Sequence, residues 1–170
     1  MADVIEREAA RVLLLNPRQE LLLFAMSTSF ARHPKPGAEW CWMTPGGGRE
    51  PGESWEATAH RELWEETGLA SVTLGPWVWE IEHRIVDDGV RRRHRDRFVI
   101  VRVDSDEISL ANQYEYERST YEQYRWWSLE AMQASPDLFF PIGLADFLAP
   151  LLNGSIPDQP VTLPSDLIDW

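Results

Sequence analysis

The chain has 170 residues, 44% of them hydrophobic, which is enough for one substantial buried core and sits within the usual size of a single domain. Acidic residues outnumber basic ones by 28 to 16, giving a formal charge of -12, and this argues against a sequence-independent grip on DNA or RNA by the molecule as a whole. Cys41 stands alone, so no internal disulfide forms; no apolar run is long enough to span a bilayer and no cleavable leader opens the chain, so a cytoplasmic protein without a membrane partner is expected.

The stretch "ARVLLLNPRQELLLFAM" has two apolar segments either side of Asn16-Pro17 and predicts a hairpin of two mostly buried strands. "STSFARHPKPGAEW" reads as an exposed loop, and "WCWMTPGGG" as a short strand ending in a glycine-rich bend. From Ser54 to Thr67 the pattern is helical: Ser54 can cap the start, Gly68 suits a left-handed end, and Trp55, Ala59, Leu63 and Trp64 fall on a core face.

"WVWEIEHRIVDDGVRRRHRDRFVIVRV" alternates on both sides of Asp87-Asp88-Gly89, a hairpin signal. With Val86 opposite Val90, Arg84 would face Arg92, Glu82 would face His94 and Glu80 would face Asp96, with Trp77, Trp79, Ile81 and His83 on the other face. "DSDEISLANQYEYERSTYEQ" reads as a long polar loop with a helical turn at most. "YRWWSL" reads as a last strand, "LEAMQ" as a short helix capped by Ser128, and "PIGLADFLAPLL" as a final amphipathic helix. The boundaries are a domain over residues 1-153 and a proline-rich tail over 154-170, extended over the surface or disordered. Strands, a main helix, further strands and a closing helix predict an α/β or α+β sandwich with a mixed sheet.

Between Met43 and Ala70 lie six glutamates, three of them, Glu62, Glu65 and Glu66, within one helical turn. Glu65 can pair with Arg61. Glu62 and Glu66 repel each other, and Glu65 and Glu66 crowd the helix C-terminal end, where the macrodipole disfavours negative charge. Broken local rules of this kind mark functional sites, and a divalent cation bound by carboxylates on one side of the helix would compensate them, as against a merely solvated acidic face.

Gly47, Glu53, Arg61, Glu62, Leu63, Glu65, Glu66, Gly68 and Leu69, nine positions over 23 residues, resemble the Nudix box of the Nudix hydrolase superfamily at every defining position. The resemblance implies an α/β/α sandwich with a mixed β-sheet. It also implies hydrolysis, by attack of water at phosphorus, of a nucleoside diphosphate linked to another moiety, with Mg2+ or alternatively Mn2+. By position, Glu62, Glu65 and Glu66 resemble the metal ligands, with the Gly47 carbonyl a further one. Arg61 resembles the arginine that orients the glutamates, and Glu53 the residue that braces the loop. For the catalytic set, Glu62, Arg61, Glu53 and Glu65 are named, with Glu62 the first choice of general base and Glu115, Glu117 and Glu122 as loop candidates.

The arginines of "RRRHRDR" could hold a diphosphate, with Arg92 and Arg95 the chosen members, or could pair across strands with Glu80 and Glu82. Trp40 and Trp42 could stack on a nucleobase or pack in the core. The substrate contacts named are therefore Arg92, Arg95, Trp42 and Glu117. The partner expected is a nucleotide-type small molecule rather than a nucleic-acid polymer, with a homodimer as the candidate assembly. A catalytically silent ligand-sensing or protein-binding module is the second reading, and an isomerase branch of the superfamily the third.

Overall fold

The structure, a computed structural model, describes residues 4-28 and 35-165. Residues 29-34 of the expected loop, with His33, and residues 166-170 of the tail lie outside that range. The elements are β1 (Val4–Leu15), β2 (Leu21–Ser27), β3 (Trp40–Met43), β4 (Gly46–Gly48), α1 (Trp55–Thr67), β5 (Leu74–Asp87) and β6 (Val90–Arg102). They continue with α2 (Glu115–Thr120), β7 (Gln123–Trp127), α3 (Leu129–Ala134), β8 (Leu138–Phe140), α4 (Leu144–Leu152) and β9 (Val161–Thr162). One mixed sheet runs β8-β3-β2-β1-β6-β5-β9, with β4 added to β1 and β7 to β2. The fold is α+β, as the element order implied.

At the centre, β1 runs parallel to β6 from Val4 opposite Arg91 to Leu15 opposite Arg102. A strand covered on both faces needs a continuous apolar run, and Val12 to Leu15 supplies it. Alternation sends Ala10, Val12 and Leu14 to one face, where they meet Val99, Val101 and the α1 residues Ala59 and Leu63. Leu13 and Leu15 go to the other face, with Phe98, Ile100 and the α4 residues Leu144, Leu148 and Leu151. Helices thus cover both sides of the sheet. Full burial of Leu63 alone contributes about 2 kcal/mol, and it fixes the face that α1 turns inward.

Several sequence expectations change. The β1-β2 hairpin pairs only at its base, Leu15 with Leu21, because β6 and β4 take most of β1's edges. Its turn is held by the Asn16 side chain, whose Oδ1 accepts from the Arg18 and Glu20 N–H groups at 3.0 and 2.9 Å. Trp64 does not join the core face of α1; it is exposed. The β5-β6 hairpin closes on Asp88-Gly89, both at positive φ (47° and 76°), so Asp87 pairs with Val90 and the register moves by one residue. Glu82 then faces Arg95 and Glu80 faces Arg97, opposite charges in place of the expected partners.

Finally, a register shift between Trp77 and Trp79 sends the two rings to opposite cores. Trp79, Ile81 and His83 keep the buried face expected of them. The segment after residue 153 is tied to the sheet: β9 pairs with β5, Leu163 N–H donates to the Glu80 carbonyl, and the Leu163 side chain is buried.

Candidate active site

Helix α1 carries the acidic turn, and its placement is fixed locally. The Ser54 hydroxyl accepts from Ala57 N–H at 3.1 Å, and Gly68 ends the helix at φ 75°, its N–H donating to the Trp64 carbonyl. With Ala59 and Leu63 turned into the sheet, the glutamates Glu62, Glu65 and Glu66 of the same helix are buried as well, alongside Thr58 and Thr67. Strand β4 passes over them. Gly46 N–H donates to Glu66 Oε2 at 2.6 Å, and a Cβ built on Gly47 would sit 2.5 to 2.6 Å from the Glu62 carboxylate. Any larger residue at position 47 would have to displace that carboxylate from the place where Arg61 holds it.

Arg61 organises the near side. Its guanidinium donates to both oxygens of Glu53 at 2.8 and 3.0 Å, to Glu62 at 2.8 Å, to Glu65 at 3.3 Å and to the Gly48 carbonyl at 2.9 Å. Glu53 also accepts from the Thr58 hydroxyl and the Glu50 N–H. Hydrogen bonding from Arg61 holds the Glu53 carboxyl down at about 2. Burial acts the other way on the cluster: it pushes the Glu62 carboxyl up, and Glu66, nearly inaccessible, well above the ordinary carboxylate range.

The far side comes from α2. Carboxylate oxygens of Glu62, Glu66 and Glu117 lie within 4.8 Å of one another, and burial raises Glu117 as well. Glu117 Oε2 accepts from Tyr114 N–H at 2.9 Å, and the Tyr114 hydroxyl donates to Glu65 Oε1 at 3.3 Å. The gathered set is therefore Glu62, Glu66 and Glu117, while Glu65, grouped with the ligands by resemblance, turns to Arg61 and Tyr114. Two buried carboxylates and a half-buried third, each with a raised affinity for protons, fit a hard divalent cation, which prefers oxygen donors and would relieve their repulsion. Glu115 and Glu122, the other loop acids, are not in this group.

The remaining candidates lie elsewhere. Trp42 is 3% exposed, packs edge-on against Trp127 at 4.9 Å and donates its Nε1–H to Asp137 at 2.8 Å, so the core reading replaces the stacking one. Arg92 and Arg95 do not converge, because strand alternation puts them on opposite faces of β6. Arg92 lies 3.5 Å from Asp87, and Arg95 lies opposite Glu82 and 3.7 Å from Glu8. Arg97 pairs with Glu80 at 2.7 Å and covers the Trp55 ring at 4.7 Å, with Arg49 also near that ring. The arginine run is chiefly a cross-strand charge ladder.

Two contributors escaped the sequence reading. Arg11 donates to Asp96 at 3.3 Å and to the Gly46 carbonyl at 3.2 Å, steadying the residue whose own N–H holds Glu66. A lone arginine inside the apolar run of β1 was the available signal. Tyr121 stacks on Phe24 at 5.0 Å, and burial followed by the nearby Glu66 charge pushes its hydroxyl up. Nothing local in its polar stretch distinguished it from Tyr116.

A NUDIX domain model matches residues 6-147. The chain belongs to the Nudix family. Among curated relatives, an RNA pyrophosphohydrolase of Rhodopseudomonas palustris (strain BisB18) is 32% identical over 110 residues, spanning 59% of this chain and 61% of that protein. An RNA pyrophosphohydrolase of Rhizobium meliloti (strain 1021) is 30% identical over 117 residues, spanning 64% of this chain and 70% of the relative. Among solved structures, a MutT protein from Methanosarcina mazei Go1 has the same fold, with a TM-score of 0.59 at 22% identity, over 91% of this chain and 98% of that one.

Proposed function

We propose that this Nudix chain is a divalent-metal-dependent pyrophosphohydrolase that cleaves the diphosphate linkage of a nucleotide-type small molecule by attack of water at phosphorus. The observation that carries this reading is the meeting of Glu62, Glu66 and Glu117 within 4.8 Å beside the Gly47 backbone. Three carboxylates alone would repel a polyphosphate, so an anionic substrate needs a cation between them. Glu62, Glu66 and the Gly47 carbonyl would hold Mg2+, with Mn2+ as the alternative. The cation, when bound, supplies charge neutralisation and Lewis-acid polarisation at the phosphoryl oxygen.

Glu117 stands on a separate element from the two helix glutamates, and it, rather than Glu62, is assigned to take the proton from the attacking water. Arg61 holds Glu62 in place and Glu53 holds Arg61. Absence of a membrane-crossing helix among the described residues is compatible with a cytoplasmic location.

A second reading is favoured by the relatives' names, RNA pyrophosphohydrolase: hydrolysis of a pyrophosphate linkage carried by RNA. The test is release of phosphate, pyrophosphate or nucleoside monophosphate from nucleotide sugars, ADP-ribose, dinucleoside polyphosphates, nucleoside triphosphates and a short 5′-triphosphorylated RNA. Each substrate is run with Mg2+ or Mn2+ and with Glu66→Gln as the blank. Turnover that disappears in the variant supports the reading and identifies the substrate class. Metal binding without turnover of any substrate would move the assignment to a silent ligand-sensing module.

A further inference from the structure

Arg11 interrupts a stretch of β1, Ala9 to Leu15, that is otherwise apolar and buried, and its guanidinium pairs with Asp96, the two side chains being 16% and 7% exposed. Stability alone does not account for such a pair, because apolar residues of similar volume in the same places commonly serve as well or better. The pairing is diagonal: Arg11 lies opposite Phe98, while Asp96 lies opposite Ala9. The other end of the fork turns towards β4, where Nη1 donates to the Gly46 carbonyl, and the guanidinium lies close enough to Glu66 to interact with its charge.

Gly46 needs a hold from outside its own strand. Its φ is 136°, a conformation that residues with a side chain rarely adopt, and a Cβ there would stand 2.1 Å from the Ala10 carbonyl oxygen. Bonds from Val12 N–H to the Pro45 carbonyl and from Arg49 N–H to the Glu8 carbonyl tie β4 to β1 on either side, but three successive glycines offer no side chain to pack. What fixes Gly46 is therefore polar: its N–H goes to Glu66 at 2.6 Å and its carbonyl to Arg11 at 3.2 Å. Asp96, Arg11, Gly46 and Glu66 form one chain of contacts through β6, β1, β4 and α1.

We propose that Arg11, held by Asp96, is a positioning residue for the reaction: it locks the Gly46 backbone that aims the Glu66 carboxylate into the cluster, and it acts through that backbone rather than on the substrate. The inference rests on the metal-dependent hydrolase reading above and adds to it the part of the sheet that keeps a cation ligand in place. The role calls for arginine in particular, because a planar fork can serve Asp96 and the Gly46 carbonyl at once, whereas a lysine offers one compact ammonium.

The test separates positioning from mere bracing of the sheet. Arg11→Lys keeps a charge, and the double variant Arg11→Met with Asp96→Leu replaces the whole pair by apolar side chains, so that no lone charge is left buried. Mn2+ is titrated calorimetrically into the full chain of wild type and of both variants, and the Gly46 amide proton is followed by NMR without metal. Both variants are expected to bind Mn2+ about tenfold more weakly, the usual scale for residues that orient metal ligands, although the double variant melts no lower than wild type. The Gly46 amide resonance, set far downfield by its short bond to a carboxylate, should move upfield in both. With the substrate that the wild type turns over, the Mg2+ needed for half-maximal rate should rise about tenfold, while KM at saturating Mg2+ stays the same. Wild-type Mn2+ affinity and an unmoved Gly46 resonance in the double variant would reduce the pair to a structural staple and overturn the proposal, leaving the hydrolase reading intact. A raised KM at saturating Mg2+ would place Arg11 on the substrate and overturn it as well. A wild type that binds no Mn2+ overturns the metal-dependent reading, and the positioning role with it.

Discussion

Glu53 touches none of the carboxylates it serves; its effect passes through Arg61, which it binds with both oxygens. Its folded carboxyl sits at about 2 against an ordinary 4.5, so the group binds a proton less readily in the native state than in the unfolded chain. The stability it contributes is therefore complete above about pH 4.5 and is lost as pH falls towards about 2. Denaturant titrations across that window should show wild type losing stability more steeply than Glu53→Gln, and parallel curves would remove Glu53 from the brace. At Gly47 the argument is steric: alanine would drive a methyl into the Glu62 carboxylate. Gly47→Ala is expected to fold and to lose about tenfold or more in metal affinity, as disturbed metal-site supports commonly do, measured by Mn2+ titration. An unchanged affinity would show that the carboxylate has somewhere else to go. Mg2+ should also raise the melting temperature of wild type, and Glu62→Gln with Glu66→Gln should abolish that rise, since binding to the native state alone adds stability. The repulsion between these residues was legible in their spacing; their convergence with Glu117 was not, because that residue lies 51 positions from Glu66 and only the fold brings them within reach.

The terminal caps of α1 hold the acidic turn in register with β4. Ser54→Ala removes the bond to Ala57 N–H and should cost about 1 kcal/mol. Gly68→Ala should cost about 1 to 2 kcal/mol for a left-handed conformation, more if the new methyl, 3.0 Å from Ser109 Cβ, cannot be accommodated. Both are read by urea denaturation, and a neutral Gly68→Ala would contradict the backbone assigned there. Helix limits were legible because caps are local chemistry. Strand register was less so: Asp87-Asp88-Gly89 announced a turn, but only the left-handed backbone of Asp88 and Gly89 set its length, and one residue of error exchanged every cross-strand partner. Of the two readings of the arginine run, a phosphate grip or cross-strand pairs with Glu80 and Glu82, the second is the one found, and the parallel neighbour β1 adds Glu6 and Glu8 to the ladder.

Across the whole molecule, the segment beyond α4 closes the sheet edge at β5. Leu163 enters the core beside Trp79, and Ser165 meets the His83 ring nitrogen at 2.7 Å. Leu163→Ala should destabilise the protein by about 2 to 3 kcal/mol in denaturant titrations, whereas a surface tail would give almost nothing. Composition and periodicity alone narrowed the class to α/β or α+β with a mixed sheet and gave the capped helix, the buried apolar strands and the acidic turn that asks for a cation, because each depends on residues close in sequence. The tertiary structure alone decided that β1 pairs with β6, that Trp42 is core, that Arg92 and Arg95 part company and that Glu117 joins the cluster. Those outcomes depend on which distant segments share a sheet and which face each presents, and solvent exclusion at those contacts, rather than any local preference, selects among them.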